Sequence, residues 1–331
     1  MEDPARATAN LLVLGAGYVG ARYCAALLQQ ELVPHRLTLT ACTAHESTAS
    51  ALAARLHQQV PVLHWNLGDD APPPPALTGE RSAAFTQVVY LAPPPSVPAA
   101  AREDPWLQRA LPVLCAMPLR RFVYMSTTGV YGNTDGERVD EAAAVQPGTA
   151  RGMRRVAAEQ AVQTACVARG IAWTVLRVPG IYGPGRLPLE RLRRGDPLPE
   201  QSLGRPGNRI HVDDLLAALH LATFHPAAAN RCYNVGDGDS TSTARFLQQL
   251  AQAVGLPAPP ILPEAMAYPL LSAESRSFLS ESRQIDTHRL RAELGFHPHY
   301  ADCTTGLRAS LAAAAGNAPF MALPSLPAGA I

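Results

Sequence analysis

No excess of either sign of charge marks this chain. Its 331 residues carry 28 basic and 27 acidic side chains, a formal net charge of +1, with no basic block or stripe. Nucleic acids and anionic membrane surfaces bind through such patches, so neither is expected as a partner. No apolar run reaches the roughly 18 residues that a membrane-spanning helix needs. The start, Met1-Glu2-Asp3-Pro4, lacks the basic-then-apolar form of a secretory leader. The six cysteines, Cys24, Cys42, Cys115, Cys166, Cys232 and Cys303, include no Cys-x-x-Cys pair. Buried, reduced thiols in a cytoplasmic protein are the expectation. His288, His297 and His299 do not have the spacing of a metal site, so no metal is expected. There is no internal repeat.

What the chain does have begins at Asn10. Four apolar residues, Leu11 to Leu14, run into Gly15-Ala16-Gly17-Tyr18-Val19-Gly20, and Val19, Tyr23, Ala26 and Leu27 follow at helical spacing. Strand, tight turn and helix in that order make a phosphate-binding turn. Gly15 permits the bend, Gly17 lets a pyrophosphate approach the backbone, and Gly20 lets helix and strand come close. The helix start adds free N–H groups and a partial positive charge.

Further strands are expected at 36–42, 60–67, 87–92, 121–126, 172–177 and 231–235. Helices are expected at 18–31, 47–59, 106–117 (with Pro112 a candidate kink), 151–169, from 209–214 to 224, 241–254, 286–294 and 302–315. The proline runs 72–75 and 93–95 and the proline-rich piece 257–269 read as loops. Asp213 is the expected N-cap of its helix, and Asp214 suits the positive end of the dipole. Alternating strands and helices predict an α/β fold with a doubly wound parallel sheet. The change of character after Pro179 sets off a small C-terminal lobe. The expected division is 10–179 with 210–235 for the sheet domain, 180–209 with 236–315 for the lobe, and 316–331 as a loose or surface-draped tail.

The chain resembles the extended or atypical short-chain dehydrogenases/reductases of the NAD-dependent epimerase/dehydratase kind, over about 10–310. The carriers are the glycine turn, Ser126-Thr127-Thr128-Gly129-Val130-Tyr131-Gly132, Leu176-Arg177-Val178-Pro179-Gly180-Ile181-Tyr182-Gly183-Pro184-Gly185, Ile210-His211-Val212-Asp213-Asp214 and Tyr233-Asn234-Val235-Gly236. The resemblance implies a Rossmann sheet, a nicotinamide dinucleotide, and a substrate in the cleft between sheet and lobe. It implies dinucleotide contacts from Gly15, Gly17, Tyr18, Val19, Gly20, Thr43, Leu67, Leu91, Ala92, Pro93 and Pro179. It also implies a homodimer built on the helices 106–117 and 151–169.

The chain departs from the family at the catalytic pair. Members use Ser or Thr with Tyr-x-x-x-Lys. Thr127 matches the first. With Glu159 taken as the family's following glutamate, Arg151 stands at the tyrosine position and Arg155 at the lysine position. Arginine cannot shuttle a proton near neutral pH, but it can hold a carboxylate or phosphate in a fork of N–H groups. Tyr131 and Tyr182 are the remaining candidate acids, each with an alternative structural reading. His211 with Asp213 is either a base and its orienter or a strand end before a helix cap. No Asp or Glu lies between Glu31 and Glu46, where a carboxylate would repel a 2′-phosphate. NADP is therefore the expected cofactor and NAD the alternative, with Arg22 or Arg36 as the cation. The function expected is an NAD(P)-dependent oxidoreductase or epimerase/dehydratase-like protein acting on a small polar or sugar-like substrate. The alternative is a catalytically weak NADP-binding sensor or scaffold.

Overall fold

The computed structural model describes residues 9–30, 37–95, 102–314 and 322–327. Seven parallel strands form one sheet: β1 (Ala9–Leu14), β2 (Leu37–Thr43), β3 (Val62–His64), β4 (Gln87–Tyr90), β5 (Arg121–Thr127), β6 (Ala172–Val178) and β7 (Arg231–Asn234). Their spatial order is β7-β6-β5-β4-β1-β2-β3. The order reverses between β1 and β4, and such a switch point leaves a crevice at the carboxyl ends of the strands.

Burial on both faces explains the near-continuous apolar strands. Along β1, Leu11 and Val13 enter one core, while Leu12 and Leu14 enter the other. The first face is covered by α1 (Tyr18–Leu28), α2 (Glu46–Arg55) and α5 (Val212–Phe224); the second by α3 (Pro105–Leu114) and α4 (Ala150–Ala168). Asp104 caps α3 through its side chain, with Pro105 in the first turn, and Thr149 caps α4. Pro112 falls in the last turn of α3, which stops three residues earlier than its apolar spacing suggests.

A separate core cluster joins Tyr182, Leu192 and Leu198 to Phe246, Leu247 and Leu250 of α6 (Thr243–Val254) and to Leu279 and Leu307. This grouping supports, as a proposal, the division of the chain at 179, 209 and 235. Leu290, Leu294 and Phe296 pack instead into the first core of the sheet.

Several local expectations are corrected. The N-cap of α5 is His211, whose Nδ1 accepts the Asp213 N–H at 3.3 Å; Asp213 lies inside the first turn. Asp214 turns inward and accepts the N–H groups of His299 and Tyr300. Arg209–His211 is a strand paired with Gly180–Tyr182. The stretch expected as loop at 257–269 holds a two-residue strand and the helix Glu264–Leu270, whose N-cap is Pro263. Of the tail, 322–327 lies on the sheet domain, where Leu323 is buried and its carbonyl accepts from Gln30. The rest of 316–331, apart from 322–327, falls outside the described residues. All six cysteines are free.

Candidate functional site

The glycine turn is pinned to the neighbouring strand. The N–H groups of Gly15 and Ala16 both donate to the carbonyl of Cys42 at 3.0 Å. Gly15 has φ +89, and a Cβ there would sit 2.4 Å from the backbone nitrogen of Ala92. Both facts demand glycine. Gly17 differs: a Cβ on it would meet nothing within 4 Å, because its face opens into a cavity. Gly17 is also the N-cap of α1, with no side-chain cap and no acidic residue in the first turn. The free N–H groups at this helix start therefore face open space.

That cavity holds about 530 Å³. Of the residues expected to contact a dinucleotide, Gly15, Gly17, Tyr18, Val19, Thr43, Leu67, Leu91, Ala92, Pro93 and Pro179 line it. Gly20 lies behind the wall, where a Cβ would crowd the Gly15 carbonyl at 2.9 Å. The chemistry of the lining suits a dinucleotide. It offers an uncapped helix start for a diphosphate and an apolar slot between β1 and β4. A buried indole N–H of Trp65 has no partner among the described residues. Trp65, Trp106 and Arg186 line the cavity without having been foreseen. Tryptophans after β3 and at the start of α3 carry no motif, and Arg186 is remote in sequence.

At the β2 end the lining residues are Cys42, Thr43, Ala44, His45 and Thr48, with no carboxylate. Thr43 donates its hydroxyl to the His45 carbonyl. Arg22, one expected partner for a 2′-phosphate, is engaged elsewhere. It donates to the carbonyls of Tyr18 and Pro184 and lies 3.9 Å from the centre of the Tyr18 ring. The Tyr18 hydroxyl donates to the same Pro184 carbonyl at 3.0 Å. These bonds clip the turn at 183–186 onto the start of α1. Arg36 lies outside the described residues.

A second cavity, of about 290 Å³, adjoins the first and shares Thr127, Arg155, Pro179, Ile181 and Arg186 with it. Arg151, Arg155, Arg186, Arg205 and Arg283 line it, against the single carboxylate of Glu281. Arg155 donates to the Tyr124 hydroxyl at 2.8 Å and the Met125 carbonyl at 3.2 Å. Arg283 pairs with Glu281, and Arg205 donates to the Leu279 carbonyl. Arg151 makes no hydrogen bond or ion pair among the described residues. The Thr127 side chain accepts the Gly129 N–H and so starts the turn Thr128–Tyr131.

The candidate acids are not in this cavity. Tyr131 is 1% exposed and lines neither cavity. Its hydroxyl donates to Asn234 at 2.7 Å and accepts from Arg177 at 2.9 Å, and burial pushes its pKa up to about 12. That placement makes it a structural residue, which corrects its expected catalytic role. Arg177 in turn pairs with buried Glu159 at 2.8 Å, and Ser126 donates to Glu159. Tyr182 is packed edge-on against His211 and Phe246, and burial raises its pKa beyond the ordinary tyrosine range. His211 is 1% exposed, with its Nε2 on Ser310 at 3.1 Å and its Nδ1 used as the cap acceptor. Burial holds its pKa near 4, and it reaches neither cavity beside Thr127. The base-and-orienter reading of His211 with Asp213 is thereby removed.

One compositional fact bears on the arginines. The chain contains no lysine; all 28 basic residues are arginine. Arginine at position 155 follows that general replacement. Arginine at position 151, where the resemblance implies a phenol, does not.

Comparison with known proteins places these features in a family. The model of the NAD dependent epimerase/dehydratase family matches residues 11–236. A 3-diazoavenalumate denitrifying reductase from a Streptomyces species is 31% identical over 171 residues. The match covers 50% of this chain and 54% of that protein, so the chain spans about half the length of this relative. The structure of a functionally unknown conserved protein from Silicibacter pomeroyi superposes with a TM-score of 0.74 at 28% identity, over 93% of this chain and 99% of that one. UDP-glucuronic acid 4-epimerase from Bacillus cereus, solved with UDP-glucuronic acid and NAD, has a TM-score of 0.70 at 19% identity, over 91% and 97%. The latter is a likeness of fold. With a switch-point cavity behind a glycine turn and a family match across the whole sheet, the chain belongs to the NAD-dependent epimerase/dehydratase family.

Proposed function

We propose that the protein is an NAD(P)-dependent oxidoreductase or epimerase/dehydratase-like enzyme whose substrate is a small anion. The observation that carries this reading is the arginine-lined cavity that opens directly off the dinucleotide cavity at Thr127 and Arg155. The dinucleotide, when bound, supplies or accepts hydride. Residues of the chain hold its diphosphate at the start of α1 and its adenosine beside Thr43 and Trp65. Arg151 and Arg155 hold the substrate's anionic group by forked hydrogen bonds and stabilise negative charge near the Thr127 hydroxyl. No step assigns them a proton, because guanidinium stays charged. NADP is the favoured cofactor, since no carboxylate lines the β2 end of the cavity; NAD, bound by the epimerase from Bacillus cereus, is the alternative. The reading includes a cytoplasmic protein and a homodimer through α3 and α4.

A second reading, a sensor or scaffold with little turnover, rests on one feature. Among the described residues lining the substrate cavity there is no histidine, tyrosine or cysteine, and the one carboxylate, Glu281, is paired with Arg283. The test is titration of the purified protein with NADPH and NADH. Trp65 and Trp106 line the cavity, so quenching of their emission, with energy transfer to the dihydronicotinamide, reports occupancy. Binding of NADPH tighter than NADH supports the NADP assignment. Absence of binding by both overturns the enzyme and the sensor readings together.

A further inference from the structure

The arginine cavity does not end at its arginines. A third hollow, of about 400 Å³, opens from it and shares Gly180, Ile181, Arg186 and Phe278 in the dividing wall. Beyond that wall the surface is apolar: Leu187, Pro188, Phe246, Leu247, Phe278 and the ring of Tyr182. Asn208, Arg209 and Arg191 at its margin are bonded within the protein, while the Tyr182 hydroxyl and the Arg191 Nε, both buried, have no partner among the described residues. Asn208 donates to the Arg283 carbonyl at 2.7 Å and accepts the Ile285 N–H at 2.9 Å. Arg209 donates to the Thr241 carbonyl and the Thr243 hydroxyl, and its guanidinium lies 4.4 Å from the centre of the Phe246 ring. Arg191 donates to the Pro197 carbonyl.

These engagements decide what can enter. A nucleobase placed here would leave donors and acceptors without partners, and a buried polar group left unpaired opposes binding. An aryl or alkyl group leaves nothing unpaired and removes apolar surface from water. We propose that this annex takes the apolar arm of the substrate, whose anionic head lies on Arg151, Arg155 and Arg186. The substrate class is then an anion bearing an aryl or alkyl arm, not a nucleotide-linked sugar. The proposal rests on the reading above in which the arginine cavity holds the substrate's charge.

The experiment is calorimetric titration of the protein, saturated with its preferred dinucleotide, with phenylacetate, 3-phenylpropanoate, 4-phenylbutanoate and UDP-glucuronic acid. The expected result is affinity that rises about fourfold per methylene along the phenyl series. Phe278→Asn and Leu187→Asn, at wall positions that are at least partly exposed, should flatten that rise. Arg186→Ala should weaken every acid by a similar factor and leave the rise intact. A flat series, or UDP-glucuronic acid bound more tightly than every phenyl acid, overturns the proposal. Failure of dinucleotide binding with the series intact overturns the enzyme reading and leaves the annex standing, so the two failures are distinguishable.

Discussion

Two glycines of one turn should respond to substitution in opposite ways. At Gly15 an alanine meets a positive φ of +89 and a backbone nitrogen 2.4 Å away. The left-handed conformation costs about 1–2 kcal/mol and the overlap about 1–3 more, so Gly15→Ala should lose roughly 2–5 kcal/mol of stability. At Gly17 the Cβ of an aspartate meets no atom within 4 Å and lands at the uncapped start of α1. Its carboxylate should cap free N–H groups for a few tenths of a kcal/mol and gain about 0.3–1 kcal/mol from the helix dipole. Gly17→Asp should therefore fold at least as stably as the parent. It should nevertheless lose the dinucleotide. Two like charges about 4 Å apart repel by about 4 kcal/mol at an effective dielectric of 20, and about 2.8 kcal/mol already weakens binding a hundredfold. Urea denaturation and NADPH titration on both variants give the answer. A Gly17→Asp protein that is destabilised like Gly15→Ala, yet binds dinucleotide as the parent does, would refute the assignment of Gly17 to a diphosphate.

Tyr131→Phe removes a buried hydroxyl bonded to Arg177 and Asn234; it should cost about 1–3 kcal/mol in urea denaturation while dinucleotide affinity stays within twofold. Glu159→Gln leaves the buried Arg177 guanidinium without its counter-ion and should cost about 3–5 kcal/mol, again read from the denaturation midpoint. His220 is fully buried, its ring nitrogens lack partners among the described residues, and burial lowers its pKa to about 4. Its folded pKa lies below its unfolded value of about 6.5, so its contribution is intact above pH 6.5 and lost as pH falls toward 4. Asp213 (about 6) and Asp237 (about 8), raised by burial, act in the opposite sense, gaining stability as they protonate. The stability difference between His220→Leu and the parent should thus widen in favour of the variant by about 3 kcal/mol between pH 7 and pH 4; a pH-independent difference would contradict the account.

The sheet was legible because its signals are short-range and redundant. The run Leu11–Leu14, the glycine turn and the amphipathic helix each imply the others, and Gly170 after α4 marks its stop. The lining of the cavity behind the glycine turn was legible for the same reason, since its wall comes from strand ends and the turns that follow them. What stayed hidden depends on contacts across long separations. The Tyr18 hydroxyl meets the carbonyl of Pro184, 166 residues away, and nothing near either residue announces it. The helices Glu264–Leu270 and Ala273–Leu279 are too short to declare a period, and Pro269 interrupts the first. His211 displaced Asp213 as cap because the strand it ends pairs with Gly180–Tyr182, and that pairing sets where α5 begins.

Arg151, Arg155 and Glu159 recur at four-residue spacing on α4, so they share a face. Glu159 is held by Arg177 and Ser126 in the buried interior, and that anchors the rotation of the helix. Positions 155 and 151 must then point along the same side, toward the cavities that Arg155 and Arg151 in fact line. Arg151 is exposed and Arg155 half-buried on that face. The double variant Arg151→Tyr, Arg155→Lys therefore puts a phenol and an ammonium in the cavity without rebuilding the helix. Were the acid/base pair the whole difference from the nucleotide-sugar enzymes, this variant would acquire turnover on UDP-glucuronic acid. The annex argues otherwise: Asn208 and Arg209 at its margin are engaged within the protein, and no restored phenol supplies partners for a base. Dinucleotide binding should survive the double substitution, and conversion of UDP-glucuronic acid, read by chromatographic separation of substrate and product, should stay at background. Turnover above background would place the loss in the catalytic pair alone and would remove the case for an apolar substrate arm.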